Sequence, residues 1–213
     1  RRYGEANDVD ARWEGVLALG PQSAGISGIL FDGSFEGNVT TGWVAFGSGA
    51  SVTITTAAVR SGIRALDVSS GSTASAEVGA RFLISGSTNG GTGFRNRAIV
   101  FAGFAASYTN NNVRLQIQDS NDDFASVNST SASTTVNGVV GTYYWHSVSH
   151  TCGASVNAVR LVLSANFGTP NTTTTTVRLD DAFFGDTTST CVGIVEAGGA
   201  YWSAFGPYIL RWN

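Results

Sequence analysis

The central part of the chain, from about residue 29 to residue 186, consists of short runs in which apolar and polar side chains alternate. Such runs occupy residues 52–55, 65–68, 113–118, 159–163 and 177–180. A period of two is typical of a strand with one buried face. Clusters of Gly, Asn, Ser and Thr separate the runs, and no helical period extends beyond a turn. The pattern therefore predicts about eight to ten strands packed as an antiparallel two-sheet sandwich.

The two ends of the chain do not follow this alternation. Residues 1–28 close with a loop that contains Pro21, and residues 192–213 are apolar and aromatic. We therefore divide the chain into an N-terminal arm, 1–28, a β-sandwich, 29–191, and an aromatic C-terminal arm, 192–213.

The C-terminal arm has two interpretations. It either folds back to complete the sandwich or buries its aromatic side chains in a neighbouring subunit, where Trp, Tyr and Arg are preferred anchors. We favour the second interpretation because the sandwich is complete before the arm begins, and we expect the N-terminal arm to act in the same way. The predicted assembly residues are Trp13, Tyr201, Trp202, Phe205, Tyr208 and Trp212.

Composition narrows the class of partner. Only 13% of the residues are charged, the net charge is −3 and no basic run occurs. The chain therefore lacks the clustered cations with which proteins bind nucleic-acid phosphates. No stretch of roughly 18 apolar residues is present, so we expect no membrane insertion. All 12 basic residues are Arg, Met is absent and Gly, Ser, Thr and Asn are abundant, which suits an extracellular surface or a virion.

Cys152 and Cys191 are the only cysteines. They form either one disulfide, which would tie a late strand to the end of the domain, or two separate thiols in a reducing compartment. Their separation matches no zinc motif, and only His146 and His150 are available to assist them.

Four motifs follow one another in the central part of the chain. Residues 31–37 read F-D-G-S-F-E-G and are followed by Thr41-Gly42-Trp43; residues 59–68 form a polar turn and a strand. Residues 142–148 contain Trp145, and residues 178–184 contain a D-D pair. Together they resemble the carbohydrate-binding modules with the galactose-binding-like jelly-roll fold. The resemblance covers about residues 29–186 and implies an all-β, antiparallel two-sheet jelly-roll β-sandwich with extended N- and C-terminal arms.

The resemblance also implies a structural Ca²⁺, held by Glu36, Asp180 and backbone carbonyls near Ser61. Carboxylates gathered at one sheet edge repel each other and lose hydration unless a cation or N–H groups compensate them, and oxygen ligands suit Ca²⁺. The alternative is that one Asp faces solvent and that Arg64 or Arg178 neutralises the remaining charge.

In the family, glycans bind to the concave face of one sheet. On the strand at residues 113–118, Leu115 and Ile117 are expected to face the core, which leaves polar side chains on the other face. Tyrosines near the ends of other strands could add a stacking surface. The expected glycan-binding residues are Arg114, Gln116, Gln118, Tyr108, Tyr143 and Tyr144. The alternative is an ordinary solvated sheet face.

Three aromatic residues have expected structural roles. Phe35 and Trp43 are large enough to anchor the core between the sheets. Trp145 falls at the family's structural position, so we expect no exposed Trp platform for sugar binding.

No catalytic constellation is recognisable in the sequence. The acidic residues lie mostly in turns or in the expected calcium site, and neither His accompanies a nucleophile motif. We expect a protein that is not an enzyme.

The favoured hypothesis is a structural or adhesion subunit of an extracellular or virion assembly, such as a phage tail or a capsid-surface decoration protein for host attachment. It would bind other copies of itself and contact surface glycans. The alternative is a carbohydrate-binding module of a secreted glycoside hydrolase; a bacterial surface filament is a third hypothesis.

Overall fold

The structure is a computed structural model. It describes Gly33 to Asp186 except for residues 34, 39, 41, 72–76, 109–112, 137–138 and 169–172. Outside that region it describes the backbone of four further strands, at residues 16–18, 191–197, 200–205 and 208–212.

The described residues form strands and two short 3₁₀ helices, Ser87–Asn89 and Gly91–Phe94. The strands are β1 Val16–Ala18, β2 Trp43–Phe46, β3 Ser51–Thr55, β4 Ala65–Ser69, β5 Glu77–Ser85, β6 Ala98–Ser107, β7 Arg114–Ser120, β8 Ser129–Thr130, β9 Thr134–Thr135, β10 Tyr144–Thr151, β11 Ala158–Phe167, β12 Thr176–Asp186, β13 Cys191–Ala197, β14 Ala200–Phe205 and β15 Tyr208–Trp212. In this part of the chain the structure contains no long apolar helix of the kind that crosses a membrane.

Two antiparallel sheets pack face to face. One has the strand order β10-β6-β12-β4-β3, and the other has the order β2-β5-β11-β7-β8, with β9 also paired to β7. Neighbours in each sheet are mostly distant in sequence, as in a jelly roll. The predicted all-β, two-sheet sandwich is confirmed, and each alternating run named above falls in a strand.

The core lies between the two sheets because each strand turns its apolar positions inward. Leu115, Ile117, Leu161 and Leu163 come from one sheet, and Leu66, Val68, Phe101 and Leu179 come from the other; all are fully buried. Phe35 and Trp43 belong to this core, as predicted. The Trp43 ring meets Phe82 edge-on with 5.5 Å between centroids, and burial of one such side chain contributes roughly 2–3 kcal/mol.

The first sequence motif is fixed against the last strand of the sandwich. The Ala182 N–H donates to the Gly33 carbonyl at 2.8 Å. A Cβ at Gly33 would stand 1.9 Å from the Ala182 carbonyl oxygen, so this close approach requires glycine. The contact brings the segment around Glu36 close to Asp180, at the point where the pairing of β12 with β4 ends.

The two ends of the chain meet in a third sheet with the strand order β1-β15-β14-β13. Val16 pairs with Leu210, and Ala18 pairs with Tyr208. The sequence pattern did not predict this pairing. Trp13 and the side chains of Tyr201, Trp202, Phe205, Tyr208 and Trp212 lie outside the described residues, so their role in assembly stays a prediction.

Candidate functional site

The outer face of the six-stranded sheet carries polar side chains in cross-strand rows. In one row Val44 pairs with Arg81, Arg81 with Val162, and Val162 with Gln116. In the next row Leu83 pairs with Arg160 and Arg160 with Gln118. A third row joins Phe46, Gly79, Ser164 and Arg114. We call the residues of these rows, together with Glu77, the arginine face.

The arginine face has an excess of positive charge. Arg81, Arg114 and Arg160 share it with one carboxylate, that of Glu77, which accepts hydrogen bonds from Arg114 Nη2 at 3.3 Å and from Ser164 Oγ at 3.2 Å. Burial lowers the pKa of all three guanidinium groups, that of Arg160 to about 10. The face therefore holds partly desolvated cations, which interact strongly with an anion.

Each of these arginines lies over an aromatic ring. The Arg81 guanidinium is centred 3.8 Å from the Phe46 ring, and that of Arg160 is 4.0 Å from the Phe124 ring. Arg114 stacks on Phe167 in the same way. Such stacking fixes the guanidinium planes, so their N–H groups are already oriented before a ligand arrives.

Three polar atoms of the arginine face are buried without a hydrogen-bond partner among the described residues. They are Arg81 Nε, Arg114 Nε and Gln116 Oε1. Gln116 as a whole is only 5% exposed. Buried polar atoms are nearly always paired, because leaving one unpaired costs about 1–3 kcal/mol. Such atoms also occur elsewhere in the described residues, for example at Arg64 and His146, but three of them share this face, which indicates a ligand site.

A carboxylate cluster occupies one end of the five-stranded sheet, where β12 has a bulge between Asp180 and Phe183. Asp180 Oδ2 accepts the N–H groups of Arg60 and Ser61 at 3.0 and 3.1 Å, and Glu36 Oε1 accepts those of Ile63 and Arg64 at 2.9 and 3.0 Å.

Asp181, next in the chain, is bound by Arg60 and by the Ser61 hydroxyl. Burial raises the pKa of Asp180 to about 6, helped by the neighbouring charge of Asp181.

No family model matches the chain, and no curated protein matches it either. Several solved structures, however, match the chain in fold. The CBM22-1 xylan-binding domain of Paenibacillus barcinonensis Xyn10C has 15% identity and a TM-score of 0.54, over 77% of this chain and 97% of that one. The C-terminal family 22 module of Clostridium thermocellum Xyn10B has 16% identity and a TM-score of 0.51, over 78% and 97%.

The chain has the β-sandwich fold of carbohydrate-binding modules.

The same fold also occurs in a viral protein. The enzymatically active domain structure of bacteriophage CBA120 tailspike protein 4 matches with 12% identity and a TM-score of 0.52. The match covers 74% of this chain and 21% of the tailspike chain.

The module fold separates the expected glycan-binding residues into two groups. Arg114, Gln116 and Gln118 lie together on the arginine face, where Gln118 Oε1 accepts a hydrogen bond from Arg160 Nε at 2.8 Å. The three tyrosines lie on the other sheet. The Tyr108 and Tyr143 hydroxyls both donate to the Ala58 carbonyl, at 3.3 and 3.1 Å. Tyr144 begins β10 and accepts the Val139 N–H at 3.4 Å. One groove therefore cannot combine both groups.

Trp145 occupies an exposed position. The alternation of β10 turns His146 toward the core and leaves Trp145 53% exposed on the outer face of the five-stranded sheet. Its ring meets the Phe104 ring edge-on, with 5.0 Å between centroids. The Arg60 guanidinium lies over the same Phe104 ring, 3.5 Å from its centroid. The resemblance placed Trp145 at the family's structural position; the contact with Phe104 agrees with a structural role, but the register of β10 leaves the ring exposed.

The module fold brings Glu36, Ser61 and Asp180 together, as the calcium prediction requires. The donors around the two carboxylates, however, are backbone N–H groups, which supply the positive charge that the prediction assigned to Ca²⁺. The alternative named Arg64 or Arg178 as the neutralising cation, but it is Arg60 that pairs with Asp181, while Arg178 pairs with Asp67. Calcium at this cluster stays a prediction.

The predicted disulfide also stays a prediction. Cys152 is buried, but the side chain of Cys191 lies outside the described residues.

Sequence analysis missed Arg81 and Arg160, which contribute most of the charge of the arginine face. Arg160 stood at a polar position in the alternating run 159–163, so its face was predictable. What the sequence could not show is that this run pairs with residues 114–120 and with β5, which places Arg81, Arg160 and Gln116 side by side.

Proposed function

We propose that this domain binds a polysaccharide on the arginine face without catalysing a reaction. The observation that carries the proposal is the set of buried, unpartnered atoms Arg81 Nε, Arg114 Nε and Gln116 Oε1. Two N–H donors and one amide acceptor match the hydroxyl groups of a sugar, which both donate and accept hydrogen bonds. A bound sugar chain would remove the cost of leaving these atoms unpaired.

The preferred ligand is an acidic polysaccharide. The three arginines exceed the single carboxylate of the face by two positive charges. A guanidinium binds a carboxylate through two parallel hydrogen bonds, so uronic acid side groups suit the face better than neutral sugars.

The same geometry supports a binding role without catalysis. Glycoside hydrolysis in most families needs two carboxylates flanking the bond, about 5–10 Å apart. Among the residues that define the arginine face, Glu77 is the only carboxylate, and it is already engaged by Arg114 and Ser164. Structural neighbours described as xylan-binding domains support a binding role.

Calorimetric titration with Gln116→Leu tests the proposal. Leucine has a similar shape and removes the unpaired amide, so we expect an unchanged or higher melting temperature together with an affinity for glucuronoxylan that falls about tenfold. The wild-type domain should bind unsubstituted xylan more weakly than glucuronoxylan. Binding that is equal in the variant and the wild type, or absent for every acidic polysaccharide offered, would reject the arginine face as the site.

A second candidate function is that of a structural or adhesion subunit in a virion or another extracellular assembly. The likeness to a domain of a phage tailspike favours it. The third sheet favours it as well, because this sheet is separate from the two sheets that make up the sandwich. In this role the arginine face would contact host glycans while the aromatic arm binds copies of the same chain.

Light scattering on the whole chain and on a chain without residues 191–213 tests this second candidate. We expect a defined oligomer that the truncation converts to a folded monomer. A monomer in both cases would count against assembly while leaving the glycan-binding proposal intact.

A further inference from the structure

A buried cluster outside the arginine face combines three kinds of metal-ligating group. Asp119, His150 and Cys152 each direct one ligand atom to the same point, and these atoms all lie within 4.8 Å of one another. The Asp119 and His150 side chains are 0% and 7% exposed, and Cys152 is 2% exposed. Water therefore has little access to the point where they meet.

The fold explains why these residues converge. His150 and Cys152 are two positions apart at the end of β10, so they project from the same side of the backbone. The Cys152 N–H donates to the Arg97 carbonyl at 2.9 Å, which fixes its backbone. Asp119 lies near the end of β7 in the opposite sheet. The cluster thus connects the two sheets at one end of the sandwich.

The surroundings of Asp119 hold its carboxylate in a fixed orientation. Oδ1 accepts hydrogen bonds from the Ser129 N–H at 3.0 Å, the Ser129 hydroxyl at 2.8 Å and the Asn128 amide at 3.3 Å. Oδ2 accepts the Gly153 N–H at 3.3 Å and lies 2.9 Å from His150 Nε2. In metal sites, outer hydrogen bonds of this kind orient the ligands.

We propose that Asp119, His150 and Cys152 bind a structural zinc ion that joins the two sheets. A thiolate with an imidazole selects zinc over calcium or magnesium, which prefer oxygen ligands. Nitrogen and oxygen ligands of a tetrahedral zinc stand about 3.3 Å apart, so Nε2 and Oδ2 need to separate by only a few tenths of an ångström. Binding releases the thiol proton of Cys152 to solvent, and the Ser129 hydroxyl, 3.2 Å from His150 Nε2 and 2.8 Å from Asp119 Oδ1, holds both ligands in place.

Cobalt(II) and zinc(II) titrations of the full chain, reduced and freed of metal by a chelator, test the proposal. Cobalt should produce the near-ultraviolet absorption of a thiolate–metal bond at one equivalent, because Cys152 is a ligand. Zinc at a hundred times its dissociation constant should raise the melting temperature by about 5–10 °C.

Variants separate the cluster from other zinc sites. Cys152→Ser should abolish the cobalt absorption, and His150→Gln should abolish the zinc-induced shift, while Ser129→Ala should weaken binding by about 10- to 100-fold. His146→Gln is the matched control, since His146 lies on the same strand outside the cluster, and it should bind zinc like the wild type.

Two results would overturn the proposal without any variant. One is the absence of cobalt–thiolate absorption in the reduced wild-type chain. The other is an intact mass showing that Cys152 and Cys191 are joined as a disulfide in the natively purified protein, because that bond removes the thiolate. The arginine face takes no part in this site, so either result leaves the glycan-binding proposal untouched.

Discussion

The two outer faces of the sandwich differ in how far their polar groups satisfy one another. On the five-stranded sheet, Arg178 donates to Asp67 at 2.9 Å and to the Ala57 carbonyl at 2.7 Å, and the Ser69 and Thr176 hydroxyls are 2.8 Å apart. On the arginine face, Arg81 and Gln116 retain buried atoms without a hydrogen-bond partner in the described chain. These groups of the first face satisfy one another, whereas the second face has hydrogen-bonding capacity for another molecule.

Register is the cause of this difference. Arg178 stands directly opposite Asp67 on the neighbouring strand, so the charge is paired within the sheet. Arg81 stands between Val44 and Val162, neither of which can accept a hydrogen bond through its side chain. The same residue type is therefore paired within the sheet on one face and is left with an unpaired buried atom on the other.

The largest effect on the free energy of unfolding is expected from Asp180, in the carboxylate cluster at one end of the five-stranded sheet. Its pKa is raised from 3.8 to about 6 in the folded protein, mainly by burial. The folded state therefore holds this proton more tightly than the unfolded state. Protonated Asp180 therefore contributes on the order of 3 kcal/mol to the free energy of unfolding. This contribution is fully present below about pH 4 and is lost as the pH rises through about 6.

Thermal melts of the wild type and of Asp180→Asn between pH 4 and pH 7 measure this effect. The variant should lose the part of the pH dependence that Asp180 contributes, and it should be less stable than the wild type at pH 4, because its amide nitrogen cannot accept the backbone N–H groups that surround the Asp180 side chain. A bound Ca²⁺ would reverse the sign, because acid would then displace a ligated metal. A calcium-dependent rise in melting temperature that Asp180→Asn abolishes would establish the metal and contradict compensation by N–H groups alone.

The next largest effects are expected when the same type of substitution, Arg to Met, is made separately on each face. Arg81→Met keeps an unbranched side chain over Phe46, so we expect a melting temperature at or above that of the wild type and an affinity for glucuronoxylan reduced about 10- to 100-fold. Arg178→Met leaves Asp67 without its partner, so we expect the free energy of unfolding to fall by about 1–3 kcal/mol with unchanged affinity.

Denaturant unfolding and titration calorimetry on the two variants give both quantities. The comparison between the faces fails if Arg178→Met weakens glycan binding as much as Arg81→Met does.

The smallest effect is expected for Trp145→Ala. The edge-on contact with Phe104 is worth about 0.5–1.5 kcal/mol, and more than half of the Trp145 surface is already exposed. We expect a melting temperature a few degrees lower and glycan affinity within about twofold of the wild type. Loss of binding in Trp145→Ala, measured by the same titration, would move the site to the five-stranded sheet.

Alternation along the chain predicted the strands and much of the core, because a period of two reports directly which side chains share a face. Phe35 and Trp43 were placed correctly in the core because of their size. Which face of a strand turns inward is decided by pairing, however, and the resemblance that gave Trp145 a structural position did not reveal that its ring is exposed.

The candidate site was only half predictable. Arg114, Gln116 and Gln118 follow from one strand's alternation, but assigning Tyr108, Tyr143 and Tyr144 to the same groove required knowing which sheet each strand joins. The Asp119, His150 and Cys152 cluster was out of reach for the same reason. Its third ligand comes from the opposite sheet, and no spacing along the chain contains that information.

The pairing of β1 with β15 makes Val16–Ala18 a cover for part of the outer strand of the third sheet. Without Val16–Ala18, the outer N–H and C=O groups of residues 208–210 would become an unprotected sheet edge. Such edges recruit strands from other molecules and lead to aggregation. Trimming the N-terminal segment for expression would therefore reduce solubility, although the segment lies far from every ligand-binding residue in the sequence.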